Sequence, residues 1–297
     1  TTEIYTLSLH DALPIYSKRR MRLRKATPEG PAVKTAQIFF CLDTDSHQPL
    51  GFTIGCPARS AAQAAPELLD LAQAVLGPEA QARVLLDCEH YSAQLFHHVR
   101  HRTPFDLLAP VPRRKSLQAH LAQLDPARFV PRWAGFATAT VPYHFAEHPE
   151  EEYPLMVQRS GERPPDYHFK AFLATQAADE VEALTQAFPQ RWHVEEFFNA
   201  HQALGWNRAG TLNLHIRYGH MTLALLAQAA LHGLRTRLGA PWQNAEAACL
   251  ARDLLGALDG DIRVHDDTIL VTIYNAPDAE RLRSHYEIGR ASCRERV

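Results

Sequence analysis

Cysteine, net charge and long apolar runs are what this sequence has least of. Its 297 residues include five cysteines, none in a CxxC pair, which argues against a disulfide framework or a cysteine zinc site. Cys41 and Cys88 each adjoin an aspartate at the end of an apolar run, and they read as small packed residues in a reducing cytoplasm. The first fifteen residues, TTEIYTLSLHDALPI, hold an apolar stretch interrupted by His10 and Asp11, too short for a signal peptide or a membrane span. No membrane partner is expected. With 31 basic and 33 acidic residues the formal charge is −2, so a polyanionic partner would have to be held by local patches or by metal rather than by a generally basic surface. No internal repeat is evident.

What the chain does have is a 46% hydrophobic content, enough for one large core, and three carboxylates in distinctive settings. Asp43 closes the apolar run IFFCLD, Asp87 closes RVLLD, and Glu195 lies in RWHVEEFF on a predicted helix. The runs before Asp43 and Asp87 do not alternate, so both read as strands covered on two faces. An acid at the end of such a strand can project into a cleft where protons or cations compensate its desolvation. Three such acids suggest a site for hard divalent metals acting on a phosphodiester. The competing reading of Asp43 is a turn residue after a strand. Asp45 rivals it for the same role, and Glu89 could share that of Asp87.

The residues around these acids resemble the DDE transposases of bacterial insertion sequences, an RNase H-like class that cuts and joins DNA. FFCLDTD (Phe39 to Asp45) resembles the family's first acidic strand, and LLDCEHYS (Leu85 to Ser92) its second. On the third-acid helix the family signature of Tyr, Arg, Glu and Lys falls on Phe188, Arg191, Glu195 and Gln202, matching at two of four places. The similarity runs on through PFDLLAPVP and GDIRVHDDTILVTIYNAP, and covers roughly residues 35 to 286. It implies an α/β fold, an RNase H-like mixed sheet flanked by helices, with a β-rich insertion before the last catalytic helix. It implies Asp43, Asp87 and Glu195 as catalytic metal ligands for two Mg²⁺ ions, for which Mn²⁺ can substitute. Arg191 would neutralise phosphate. The implied partners are transposon-end and target DNA, with the protein acting as a homo-oligomer in the bacterial cytoplasm at the nucleoid. An RNase H-like nuclease without strand transfer, and an inactive remnant that only binds DNA, are the alternatives.

Both ends read differently. Residues 1–15 and 287–297 resemble translated sequencing adaptors, and are expected to add nothing to the core. Between them the expected order is a basic arm and linker at 16–34, the first part of the core at 35–127, the β-rich insertion at 128–178, and the last part of the core with its helices and hairpin at 179–286. The apolar stretch MTLALLAQAAL predicts a buried helix.

Helical geometry separates the two adjacent glutamates. At about 100° per residue, Glu195 falls about 60° from Phe198, whereas Glu196 lies about 100° from its nearest apolar neighbour, so Glu195 is expected to be half-buried. Arg113, Arg114 and Lys115, just past a predicted strand, form a loop patch that could hold DNA phosphates. His97, His98 and His101 are spaced to present imidazoles on a helix. No carboxylate or cysteine joins them at a zinc-motif spacing, so no zinc site is expected there.

Overall fold

In the computed structural model of the chain, residues 3–14, 23–25, 32–55, 59–205, 213–256, 259–266 and 268–275 are described. The tail at 287–297 and most of the basic arm lie outside them. The chain divides into two compact units, one of Thr1–Phe198 with Gly210–Tyr218, the other of Asn199–Ala209 with Gly219–Val297.

The first unit is a mixed α/β sheet with helices on its faces. Its strands are β1 (Glu3–Pro14), β2 (Leu23–Lys25), β3 (Ala32–Asp43), β4 (Pro49–Gly55), β5 (Ala82–Leu86), β6 (Asp106–Pro110), β7 (Val130–Trp133), β8 (Phe136–Phe145), β9 (His148–Ser160) and β10 (His168–Ala174). They pair in the order β2-β3-β1-β5-β6-β10-β9-β8-β7, with β4 on β3. β1 is antiparallel to β3 and parallel to β5, and β5 is parallel to β6. The stretch β4-β3-β1-β5-β6, a meander followed by parallel strands, is the RNase H-like arrangement. The strands between residues 128 and 178 do not stand apart, because β10 joins β6 and extends the same sheet.

This topology corrects two expectations. The run ending in Asp43, expected as the first acidic strand beside the run ending in Asp87, is not its neighbour, since the place between β3 and β5 is filled by Glu3–Pro14. The segment expected to lie outside the fold therefore supplies a central strand. The physical reason is local: EIYTLSLH is rich in residues that favour a pleated chain, and an antiparallel and a parallel neighbour offer it hydrogen bonds on both edges.

Two-sided burial explains the non-alternating runs. Val84 and Leu86 face α1 (Ala61–Leu76) and α2 (Ala93–Arg102), in a cluster with Phe39, Leu68 and Phe96, while Leu85 faces Ala183, Leu184 and Ala187 beneath the other side. Phe40 packs edge-on against Phe197 and Phe198 of α4 (His193–Ala203). Helix α1 starts at a reciprocal capping box between Ser60 and Gln63 and stops at Gly77, whose φ of +99° suits glycine. Helix α2 is capped by Ser92. A short helix, α3 (Lys115–Ala122), follows β6.

In the second unit, Leu238, Leu250 and Leu254 pack together, and β11 (Gly260–His265) and β12 (Thr268–Ile273) form a hairpin. Helix α5 (Leu214–Leu238) carries the MTLALLAQAAL stretch, and here burial differs from expectation. Met221, Ala224 and Gln228 are buried but Leu223 and Leu226 are exposed, because only one stripe of the helix is covered. Among the described residues, no helix is long and apolar enough to cross a membrane.

Candidate functional site

Because β5 and β6 run parallel, their carboxyl ends open on the same edge of the sheet. β5 leads into Asp87 and β6 into Arg113, Arg114 and Lys115. Arg114 lies near enough for its charge to act on the Tyr91 hydroxyl, four residues beyond Asp87, which is also held at 2.6 Å by the Tyr143 hydroxyl. All three basic residues are exposed, and no carboxylate pairs with them among the described residues. Their charge is available to a polyanion.

Asp87 caps a single helical turn, Cys88–His90, by accepting a hydrogen bond from the Glu89 amide at 2.9 Å. Burial pushes its carboxyl pKa up, but the hydrogen bonds from the Glu89 amide and the Cys88 thiol, with the Arg191 guanidinium nearby, outweigh this and hold it below the ordinary value. Arg191 comes from the turn Phe188–Trp192 that precedes α4, and its Nη2 lies 3.1 Å from Glu195 Oε1. Arg191 thus pairs with Glu195 and adds its charge to the field at Asp87. Glu195 is 29% exposed, whereas Glu196 is 58% exposed and pairs with His193. That difference in burial is the one helical geometry predicts.

Asp43 does not join them. β3 is antiparallel to β1, and β1 is parallel to β5, so the carboxyl ends of β3 and β5 point to opposite edges. In register Asp43 is level with Tyr5 and hence Val84, three residues short of Asp87. That separates them by about 10 Å along the strands and about 10 Å across β1. Asp43 is instead a turn residue. Its carboxylate accepts from the amides of Asp45 at 3.3 Å and Ser46 at 2.9 Å and from the Ser46 hydroxyl, while its own amide donates to the Gln48 carbonyl at 2.9 Å. Asp45, its rival, is exposed in the same turn. The expected convergence of Asp43 with Asp87 is corrected, because a strand antiparallel to β5 cannot present its last residue at the edge where β5 ends. The position on β1 level with Asp87 falls on Ser8, one residue past the Leu7–Leu86 pair.

His90 was not anticipated. It is fully buried beside Asp87 and Arg191, and neither ring nitrogen has a well-formed hydrogen bond among the described residues. Burial drives its pKa down to about 4 against the opposing pull of Asp87, so the ring is neutral at pH 7. Its place three residues after Asp87 is the only sign of it in the sequence.

No family model and no curated protein matches this chain. Among solved structures, the piggyBac transposase synaptic complex with hairpin DNA, determined by cryo-EM, is similar at a TM-score of 0.42 and 12% identity, over 94% of this chain and 61% of that one. The match spans about three fifths of the length of that chain.

Proposed function

We propose that this chain is a DNA-handling domain of the DDE transposase type, in which Asp87 and Glu195 are the acids that serve phosphodiester cleavage. The observation that supports this is that Arg191, paired with Glu195, brings its charge to bear on Asp87, at the end of β5 on the same sheet edge as the end of β6 that leads into Arg113, Arg114 and Lys115. The exposed cations would hold the DNA backbone through charge. Asp87, kept ionised, would act as a fixed negative charge rather than as a proton donor. Arg191 offers a planar fork that can exchange its carboxylate partner for a phosphate oxygen when DNA arrives. Cleavage would be followed by transfer of the freed 3′ end to target DNA, with a homo-oligomer on the transposon ends.

Two carboxylates are what a Mg²⁺ ion takes from protein when phosphate and water complete its shell, and Asp87 and Glu195, both under the charge of Arg191, are the residues that would supply them. They do not suit the two-ion arrangement with Asp43, and neither belongs to any group of three potential ligands among the described residues. A bound Mg²⁺ or Mn²⁺ would supply positive charge to the phosphodiester oxygens.

The test is nicking of a supercoiled plasmid with Mg²⁺ or Mn²⁺. Asp87→Asn and Glu195→Gln should each abolish nicking with folding retained, while Asp43→Asn and Glu196→Gln should nick like the parent. Loss of nicking in Asp43→Asn, with Asp87→Asn still active, overturns the assignment. A parent chain that binds DNA but never nicks it supports the binding-only reading.

A further inference from the structure

Away from this edge, the first unit gathers three imidazoles and a carboxylate at the seam of α2 and β9. His97 and His101 stand one helical turn apart on α2, and both reach the same oxygen of Glu151 on β9: His97 Nδ1 at 2.6 Å and His101 Nε2 at 2.7 Å. The His97 ring stacks on His148 at 4.2 Å. The ligand atoms of His97, His101 and Glu151 lie within 4.8 Å of one another, as do those of His148, Glu150 and Glu151, with Glu151 common to both sets. Its other oxygen accepts from the hydroxyl of Tyr153, a fully buried ring over which Arg100 sits at 4.5 Å. Burial works against ionisation of Glu151, but the hydrogen bonds from Tyr153, His101 and His97 prevail and bring its pKa to about 2.

We propose that His97, His101 and Glu151, with His148 beside them, form a binding site for a zinc-class dication that fastens α2 to β9. Imidazole and carboxylate are the ligand types this class of ion takes, in tetrahedral sets with bonds of about 2.0–2.2 Å. Tetrahedral bonds of that length set N and O about 3.3 Å apart, so the imidazoles need to open only slightly from their present contacts. At 42% and 50% exposure their side chains are free to do so. The fourth position falls to His148 or to water. Tyr153 has the role of a positioning residue, fixing the carboxylate from behind. To bind the dication through the nitrogens that now face Glu151, each imidazole would carry its proton on the other ring nitrogen or release it to water.

The full chain, stripped of metal, is titrated with Co²⁺ by visible absorption and with Zn²⁺ by calorimetry. One equivalent should bind with a tetrahedral cobalt spectrum and raise the melting temperature. His97→Gln with His101→Gln should abolish both effects, and Tyr153→Phe should weaken binding about tenfold. His193→Gln, which disables a separate His47, His193 and Glu196 group, should leave the tight equivalent intact. An octahedral cobalt spectrum, no saturable equivalent, or binding unchanged in the double variant would overturn the proposal.

Discussion

At the scale of single residues, the surroundings of two side chains decide their roles. His90 is buried with its ring nitrogens poorly partnered, so the folded protein resists protonating it until about pH 4, whereas the unfolded chain takes up that proton near 6.5. Its pKa is depressed on folding, so the unfolded state binds more protons between these values, and stability is full above pH 6.5 and falls as the pH drops toward 4. Urea unfolding measured across that range should show this loss in the parent and a flatter profile in His90→Leu. Asp43, by contrast, spends its carboxylate on closing its own turn. Asp87 likewise accepts a hydrogen bond from an amide of the turn it begins, and the two aspartates differ in the edge of the sheet on which they stand.

At the scale of elements, strand β1 carries the most consequence. It supplies hydrogen-bonding partners to β3 on one side and β5 on the other, and without it both would be left with open edges in the middle of the sheet. A chain lacking residues 1–15 is expected to melt several degrees lower than the full chain, and equal melting curves would show that β1 adds nothing. The β5 to β6 connection also depends on polar contacts. Arg83 on β5 bonds Asp106 at 3.0 Å and Glu182 at 2.9 Å, with its side chain only 14% exposed. Arg83→Ala would leave Asp106 covered without its cation, and the expected loss in chemical denaturation is about 2 kcal/mol or more.

For the whole molecule, the distribution of charge matters more than its sum. A net charge of −2 gives no general attraction to DNA, so binding should depend on the cations of one edge. Each phosphate neutralised contributes about −0.9 to the slope of log K against log salt. Replacing Arg113, Arg114 and Lys115 by alanine should flatten that slope by up to about 3 in fluorescence anisotropy, and an unchanged slope would place the DNA elsewhere.

The sequence by itself determined the elements that rest on local chemistry. The buried runs before Asp43 and Asp87, the strands between residues 128 and 178 and the greater burial of Glu195 than of Glu196 all follow from patterns within a few residues. Tertiary structure alone decided which ends of which strands meet. A run such as IFFCLD looks the same whether it runs up or down a sheet, and its direction relative to RVLLD was fixed only when Glu3–Pro14 paired between them. The same holds for Glu151, about fifty residues from the histidines it joins. Contacts made across a sheet depend on strand order and register, and neither is written in the local periodicity that a sequence displays.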